Sequence, residues 1–569
     1  MNGLSTFDIL IFIIYFIMVA GYGYWVYLKK KKASVTASHD YFLAEGSLTW
    51  WAIGASLIAS NISAEQFIGM SGNGYFVGVA VAAYEWIAAL ALIIIAVWFM
   101  PVYLKNKIYT MPQFLKTRYN ETVSLIMAIF WLLLYVFVNL TSILYLGAIA
   151  ISGLIGPEYL HIVMVGLAIF ALIITLGGMK VIGYTDVIQV AVLIIGGFAT
   201  IYFALTIVSE KFGLGKDAIA GFKTLMTQAP DHFHMILKKP TAASSQEDIN
   251  KYLILPGIAM YFAGQWIVNL NYWGCNQYIT QRALGADLQT ARKGILFAGF
   301  LKLMMPIIVM LPGIAAYVLH QNGHLEGLRG MDDAYSAILN FLPSGLKGLA
   351  IAALTAAIVA SLAGKLNSIG TIFTLDIYMK YFRKVPAGEN AIREGDEKKM
   401  VWTGRMVALV AILLAIVFEW KDFLGIGGEG GFTFIQKYTG FISPGVFAMF
   451  ILGMFWKRTT GTAAVAGLLT GFAMAVFFNS FAVSLLGHEN FMYTAFKNSD
   501  GKYEIPFLIN MGWAFVITMI VMISLSLFGP KINPKAFALD KQMFKVSPGV
   551  TAMIVTTLLI LVALYAKFW

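Results

Sequence analysis

Apolar runs long enough to cross a bilayer, separated by mostly short polar stretches, account for most of the 569 residues. A transmembrane helix needs roughly 20 mostly apolar residues. About fourteen such runs occur, near Phe7–Leu28, Leu48–Phe76, Gly78–Leu104, Thr122–Ser152, Glu158–Gly177, Tyr184–Ile207, Leu253–Ile279, Gly294–Leu319, Gly348–Met379, Val401–Trp420, Phe432–Trp456, Thr459–Leu486, Phe507–Phe528 and Gly549–Phe568. Helices satisfy their own backbone in lipid, so the pattern predicts an all-α integral membrane protein. The longest polar stretches, Ser209–Lys251 and Lys380–Met400, hold too few apolar residues for a core. Chemistry is therefore expected within the helices or at their mouths.

Two runs are interrupted. In Leu57–Gly74 the apolar pattern is broken by Asn61, Ser63, Glu65 and Gln66, then by Gly69, Gly72 and Gly74. In Gly264–Gln281 it is broken by Gln265, Asn269, Asn271, Gly274, Asn276 and Gln277. These are the second and seventh spans. Interrupted helices at matching places in two halves point to a carrier's midplane site. The spacing suggests two inverted five-helix repeats, residues 48–208 and 253–456. An extra helix would precede them (1–47) and extra helices would follow (457–569). Polar bridging between neighbouring helices is the plainer explanation of single residues, but the interruptions cluster and recur at one interval.

Composition sharpens the class. Charged residues make up 12% of the chain, against about 25% in soluble domains. Formal charge is +11. With the amino terminus outside, 25 of the 40 Lys and Arg fall on the inner side and 12 on the outer. The basic excess thus reads as topology in a lipid bilayer, and nucleic-acid binding is not expected. The single Cys275 excludes an intrachain disulfide or a cysteine zinc cluster. His39, His161, His232, His234, His320, His324 and His488 all lie in expected loops or at span ends. With one Cys and no His deep in a span, no nucleophile–base pair or metal cluster presents itself, so an enzyme is not expected.

Ionisable side chains inside a membrane are functional candidates by default. They are Glu65, Glu85, Asp186, Lys302, Lys365 and Lys437. Glu85 and Lys302 lie deep enough to need partners. Either they pair with each other, or a polyhydroxylated ligand satisfies both. A sugar needs converging donors and acceptors with aromatic walls. Gln66, Glu85, Asn269, Lys302 and Gln436 offer the polar set from five spans; Tyr84, Tyr272, Trp273 and Phe432 offer walls. Asn269 and Trp273 are four apart, as are Phe432 and Gln436, so each pair shares a helix face.

The stretches ASLIASNISAEQFIGMSG (55–72), YTDVIQ (184–189), YWGCNQY (272–278) and LNS followed by TIFTLDIY (366–378) resemble the sodium/solute symporter family, nearest its galactose- and glucose-carrying branch. The resemblance covers nearly the whole chain. It implies the leucine-transporter fold, with fourteen helices and two inverted repeats. In that family, sugar hydroxyls are held at positions matching Gln66, Glu85, Asn269, Lys302 and Gln436. The outer gate matches Met70, Tyr84 and Phe432, and an inner gating aromatic matches Tyr272. Ala88 replaces a serine of the family's sugar site, about one turn after Glu85. This removes one hydroxyl contact, which leaves a hexose as the expected substrate and counts against a galactose preference; inositol and amino sugars are the alternatives.

The family's sodium ligands match the carbonyls of Ala59, Ile62 and Ala357 and two adjacent hydroxyls. Ser361 keeps the second hydroxyl; Ala360 lacks the first. Asp186 matches a residue on the ion's inward route. Lys365 lies one turn past Ser361, where relatives carry an apolar side chain. Three readings follow. Water or a carbonyl replaces the missing hydroxyl; Lys365 replaces the ion and gives proton-coupled or uncoupled transport; or Lys365 snorkels to the inner surface. Retained sodium binding with a snorkelling lysine is the expectation, since lysines near helix ends usually snorkel. The implied activity is alternating-access import of a hexose with sodium, in a bacterial inner membrane. A sensor would need an added signalling domain, and none is visible. No motif specifies an oligomer.

Overall fold

The computed structural model describes residues 4–31, 49–108, 110–175, 178–382, 394–421, 423 and 431–569. His39, Lys32 and much of the Lys380–Met400 stretch lie outside the described residues, as do the side chains of Tyr184 and Thr185. The described chain is helical apart from turns and one small antiparallel hairpin, in which Phe496 faces Glu504 and Lys497 faces Tyr503.

Among the described residues, ten helices are long and apolar enough to cross a membrane, or twelve if two sharply bent pairs each count as one span. The count therefore falls short of the expected fourteen. The shortfall has a local cause. The second run is divided into Trp50–Asn61, Glu65–Met70 and Ser71–Phe76, each too short alone. Of the first helix, Thr6–Lys31, the stretch Thr6–Val19 is counted, which is too short alone.

The chain packs as two units. The first comprises residues 1–79, 131–233 and 304–434. Its centre is the Leu346–Ile372 helix, which packs against Thr6–Lys31, Trp50–Asn61, Thr141–Ile155, Leu160–Thr175 and Gly178–Lys211. Small residues permit that crowding: Gly348 meets the Asp8 backbone, and Gly147 meets Ile358. The Asp8 carboxylate accepts hydrogen bonds from Gly345 and Gly348, two of the amides a helix start leaves unpaired.

The second unit comprises residues 80–130, 234–303 and 435–569. Gly461–Ser480 packs along Phe507–Leu527, and both pack on Ser443–Phe455. Gly264–Cys275 lies along Ala83–Ile94. Arg118 is fully buried and closes the end of the Ser443–Phe455 helix, donating to the carbonyls of Gly453, Trp456 and Thr459. The span Pro548–Phe568 is only 17% buried, against 89% for Leu346–Phe382. Val562 and Leu559 on its outside, like Ile162 and Ile173 in the first unit, are more than half exposed. An apolar face of that extent is stable only against lipid.

Candidate functional site

In the first unit the second span breaks where its polar residues cluster. Trp50–Asn61 ends at Ile62, which is extended (φ −78°, ψ 108°). The Ile62 N–H reaches Ile58 O, while the N–H groups of Gln66 and Phe67 both turn to Ser63 O. The last four carbonyls of a helix lack intrahelical partners, and Ala59 is among them. The Ser63 hydroxyl accepts from the Glu65 N–H at 3.2 Å, starting the π-helix Glu65–Met70. This strand of oxygens lies on a helix packed against Leu346–Ile372, which carries Ala357 and Ser361.

Ser361 is 1% exposed, and its hydroxyl oxygen has no hydrogen-bond partner. A buried hydroxyl left unpaired costs about 1–3 kcal/mol unless something binds it. A buried, unpartnered hydroxyl and carbonyls released by a helix break, on two helices that pack together, are the kinds of oxygen that coordinate a small cation such as sodium. Ala360 is buried and offers no side-chain oxygen. Asp186 is buried on the neighbouring Gly178–Lys211 helix, where Ser56 donates to its carboxylate at 2.8 Å. Gln189, three residues further on, keeps a buried side-chain oxygen without a partner.

Lys365 does not snorkel. Its side chain is 4% exposed and its ammonium lies 3.7 Å from the Glu65 carboxylate. The expectation failed because the lysine is too deep in its helix to reach the surface and a buried anion stands opposite. Position along a span does not reveal that partner, which is 300 residues away in sequence.

The outer-gate candidates of this unit lie close together. Met70 is fully buried. A Cβ on Gly69 would stand 2.6 Å from Phe432 Cβ and 2.8 Å from Phe432 N, so the two segments meet backbone to side chain. Asn73 donates to Gly69 O and lies 3.4 Å from the Thr433 hydroxyl. Asp332 accepts from Gly431 N–H at 2.9 Å, at the start of the Gly431–Thr439 helix that carries Phe432. Burial pushes the Asp332 carboxyl up to about 6, against the lowering pull of the Gly431 amide and with a further push from Asp333. A cavity of about 590 Å³ is lined by Tyr75, Tyr145, Ser152, Arg329, Asp332 and Asp333. Gln66, also in this unit, keeps a buried amide oxygen without a partner.

In the second unit Glu85 and Lys302 form a direct ion pair at 2.5 Å, with side chains 4% and 1% exposed. Of the two possibilities left open by the sequence, the structure has the direct pair. The Lys302 ammonium also lies 5.3 Å from the ring centre of Trp273, within cation–π range. Trp86, beside Glu85, donates to Leu303 O, tying the same two helices. Ala88 is buried one turn along. Asn269 is buried and donates to Gln265 O. Tyr272 is half-buried, its ring at 5.2 Å edge-on to Trp273. Tyr84 is buried, and Gln436 is half-buried on its helix. Lys437 pairs with Glu504 at 3.1 Å.

The seventh span breaks at Asn276, extended at φ −93° and ψ 123°, whose side chain accepts from Tyr278 N–H. A second bend, of 82°, comes earlier at Ala263. Sequence reasoning counted Gln265 among the interruptions but left it out of the polar set; it is fully buried with both side-chain amide atoms unpartnered. The available signal was its position one turn before Asn269 on the same face.

The sodium:solute symporter family model matches residues 41–471. A sodium/glucose cotransporter of Vibrio parahaemolyticus is 41% identical over 100% of this chain and 99% of its own length. A sodium/myo-inositol cotransporter 2 of Mus musculus is 32% identical over 82% of this chain and 69% of its own length. A solved Na+-coupled sialic acid symporter, in an outward-open state, superposes with a TM-score of 0.74 at 20% identity, covering 94% of this chain and 100% of that one. At that identity the likeness concerns the fold.

Proposed function

Because the chain belongs to the sodium:solute symporter family, we propose that it imports a hexose of the glucose or galactose type by alternating access. Sodium is the coupling ion. The membrane in question is a bacterial inner membrane. The observation that carries the sugar reading is the buried Glu85–Lys302 pair under Trp273, with the amides of Asn269 and Gln265 on the Trp273 helix. A carboxylate has about four acceptor sites and an ammonium three donors, so such a pair has capacity for sugar hydroxyls beyond its own bond. The aromatic ring offers an apolar wall for C–H faces. Gln436, in the same unit, adds to the polar set, and Tyr272 is the inner gate. Met70 and Phe432, in the first unit, are outer-gate residues.

Sodium is held by the carbonyls of Ala59, Ile62 and Ala357 and the hydroxyl of Ser361, and leaves past Asp186. Its binding steadies the broken second span against Leu346–Ile372, the state to which sugar binds. Each sodium charge moved adds about 2.3 kcal/mol per 100 mV of membrane potential.

Myo-inositol is the second reading. Ala88 lacks the hydroxyl that favours one hexose, and a relative carries inositol in its name. Uptake of radiolabelled glucose, galactose and myo-inositol into proteoliposomes decides between them, with an inward sodium gradient or with potassium in its place. Accumulation of a hexose only with sodium is expected. Accumulation of myo-inositol alone would overturn the hexose assignment, and equal uptake in both salts would overturn the coupling.

A further inference from the structure

The Glu65–Lys365 pair stands between the two segments assigned to sodium. Glu65 follows Ile62 by three residues, at the first turn after the break. Lys365 follows Ser361 by one helical turn, and residues so spaced have Cβ atoms about 5–6 Å apart. Both side chains are withdrawn from solvent, so their charges act at low dielectric and are poorly screened. An intact pair is a short dipole whose net field falls off quickly. Removal of either member leaves a full charge about one turn from the ion.

We propose that Glu65 and Lys365 together set the sodium affinity of this carrier. The lysine acts as a fixed cation that weakens sodium binding, and the glutamate as the anion that keeps binding possible beside it. The inference rests on the sodium site assigned above. It gives the lysine a role other than replacing the ion, since the ammonium is engaged with Glu65 and Ser361 retains an unpartnered hydroxyl. Both are positioning residues for the local field, not ligands.

The sign of each effect follows. Lys365→Met leaves the carboxylate alone near the site, so the sodium concentration for half-maximal uptake falls about tenfold. Glu65→Gln leaves the ammonium alone, so that concentration rises about tenfold. The neutral double variant Glu65→Gln/Lys365→Met returns to within about threefold of the wild type, because no net charge remains. Lys365→Arg keeps the charge and stays near wild type. Sugar half-saturation at saturating sodium changes less than twofold in all four, a split that a general loss of packing would not produce.

The experiment is sodium-dependent uptake in proteoliposomes, paired with the rise of Tm on adding sodium to the purified full chain, since a bound ion stabilises the folded state by an amount that grows with the logarithm of its affinity. The Tm readout serves variants that fold but transport slowly, and the charge-neutral double variant serves if a single one does not fold. Opposite shifts that cancel in the double variant are expected. Shifts of like sign, or none, overturn the charge-pair role. Ser361→Ala is run alongside: a several-fold weaker sodium response is expected, and an unchanged one overturns the site assignment itself.

Discussion

Lys302 shows how much a single side chain can decide. Its ammonium is as buried as any core leucine and is tolerated because Glu85 lies 2.5 Å away. Breaking a buried pair by removing one partner is destabilising by about 3–5 kcal/mol, whereas replacing both is often neutral. Lys302→Met is therefore expected to lower Tm sharply and abolish uptake. Lys302→Met/Glu85→Gln is expected to recover most of the Tm and none of the uptake, separating the fold from sugar binding. Asp332 gives a second residue-level effect, in pH. Its folded-state pKa of about 6 lies above its ordinary 3.8. The folded protein then holds the proton more tightly than the unfolded chain between those values. Stability is therefore greatest below about pH 4 as far as this group goes, and falls as pH rises to about 6, by on the order of 2–3 kcal/mol. Comparing Tm between pH 4.5 and 7 in the wild type and Asp332→Asn checks this; the variant is expected to show the shallower decline.

Among the elements, the broken second span is the one whose glycines have separate duties. Gly69 admits Phe432, Gly72 lies against Asp332 and Met331, and Gly74 against the Met310 carbonyl. Gly69→Ala is expected to reduce uptake at least tenfold and lower Tm, because the added methyl meets backbone as well as side chain. Gly166→Ala, on an exposed helix face with nothing within 4 Å, is expected to raise stability by up to about 1 kcal/mol. The contrast separates glycines that permit contact from one that merely weakens a helix. Both breaks were legible in the sequence, because Asn61–Ser63 and Asn276 put side-chain hydrogen-bonding groups where the ladder stops. The bend at Ala263 was not, since Ala259–Ala263 reads as an unbroken apolar stretch. The glycines were read as interruptions, whereas their partners come from segments far along the chain. The same limit concealed the Glu65–Lys365 pair: pattern along one helix reports depth, not what faces it.

For the whole molecule, the apolar periodicity was enough to place the chain in a membrane, and the long local resemblances were enough to place it in its family. Coupling to sodium predicts a voltage effect at this scale. With one net charge moved per cycle, 100 mV inside-negative adds about 2.3 kcal/mol, close to a fiftyfold gain in attainable accumulation. Sugar uptake measured at potassium-diffusion potentials from 0 to −100 mV is expected to rise steadily; uptake indifferent to voltage would mean compensating charge movement. The lone cysteine has a practical bearing on following such a cycle. Cys275 is wholly enclosed at the end of its helix, its sulfur 3.8 Å from the Leu270 carbonyl. Water-soluble maleimides should leave the native protein almost unmarked. A reporter thiol placed at Met70 or Tyr272 would then be the principal reactive sulfur in the molecule, and its labelling rate in each ionic condition would record which side of the membrane the pathway faces.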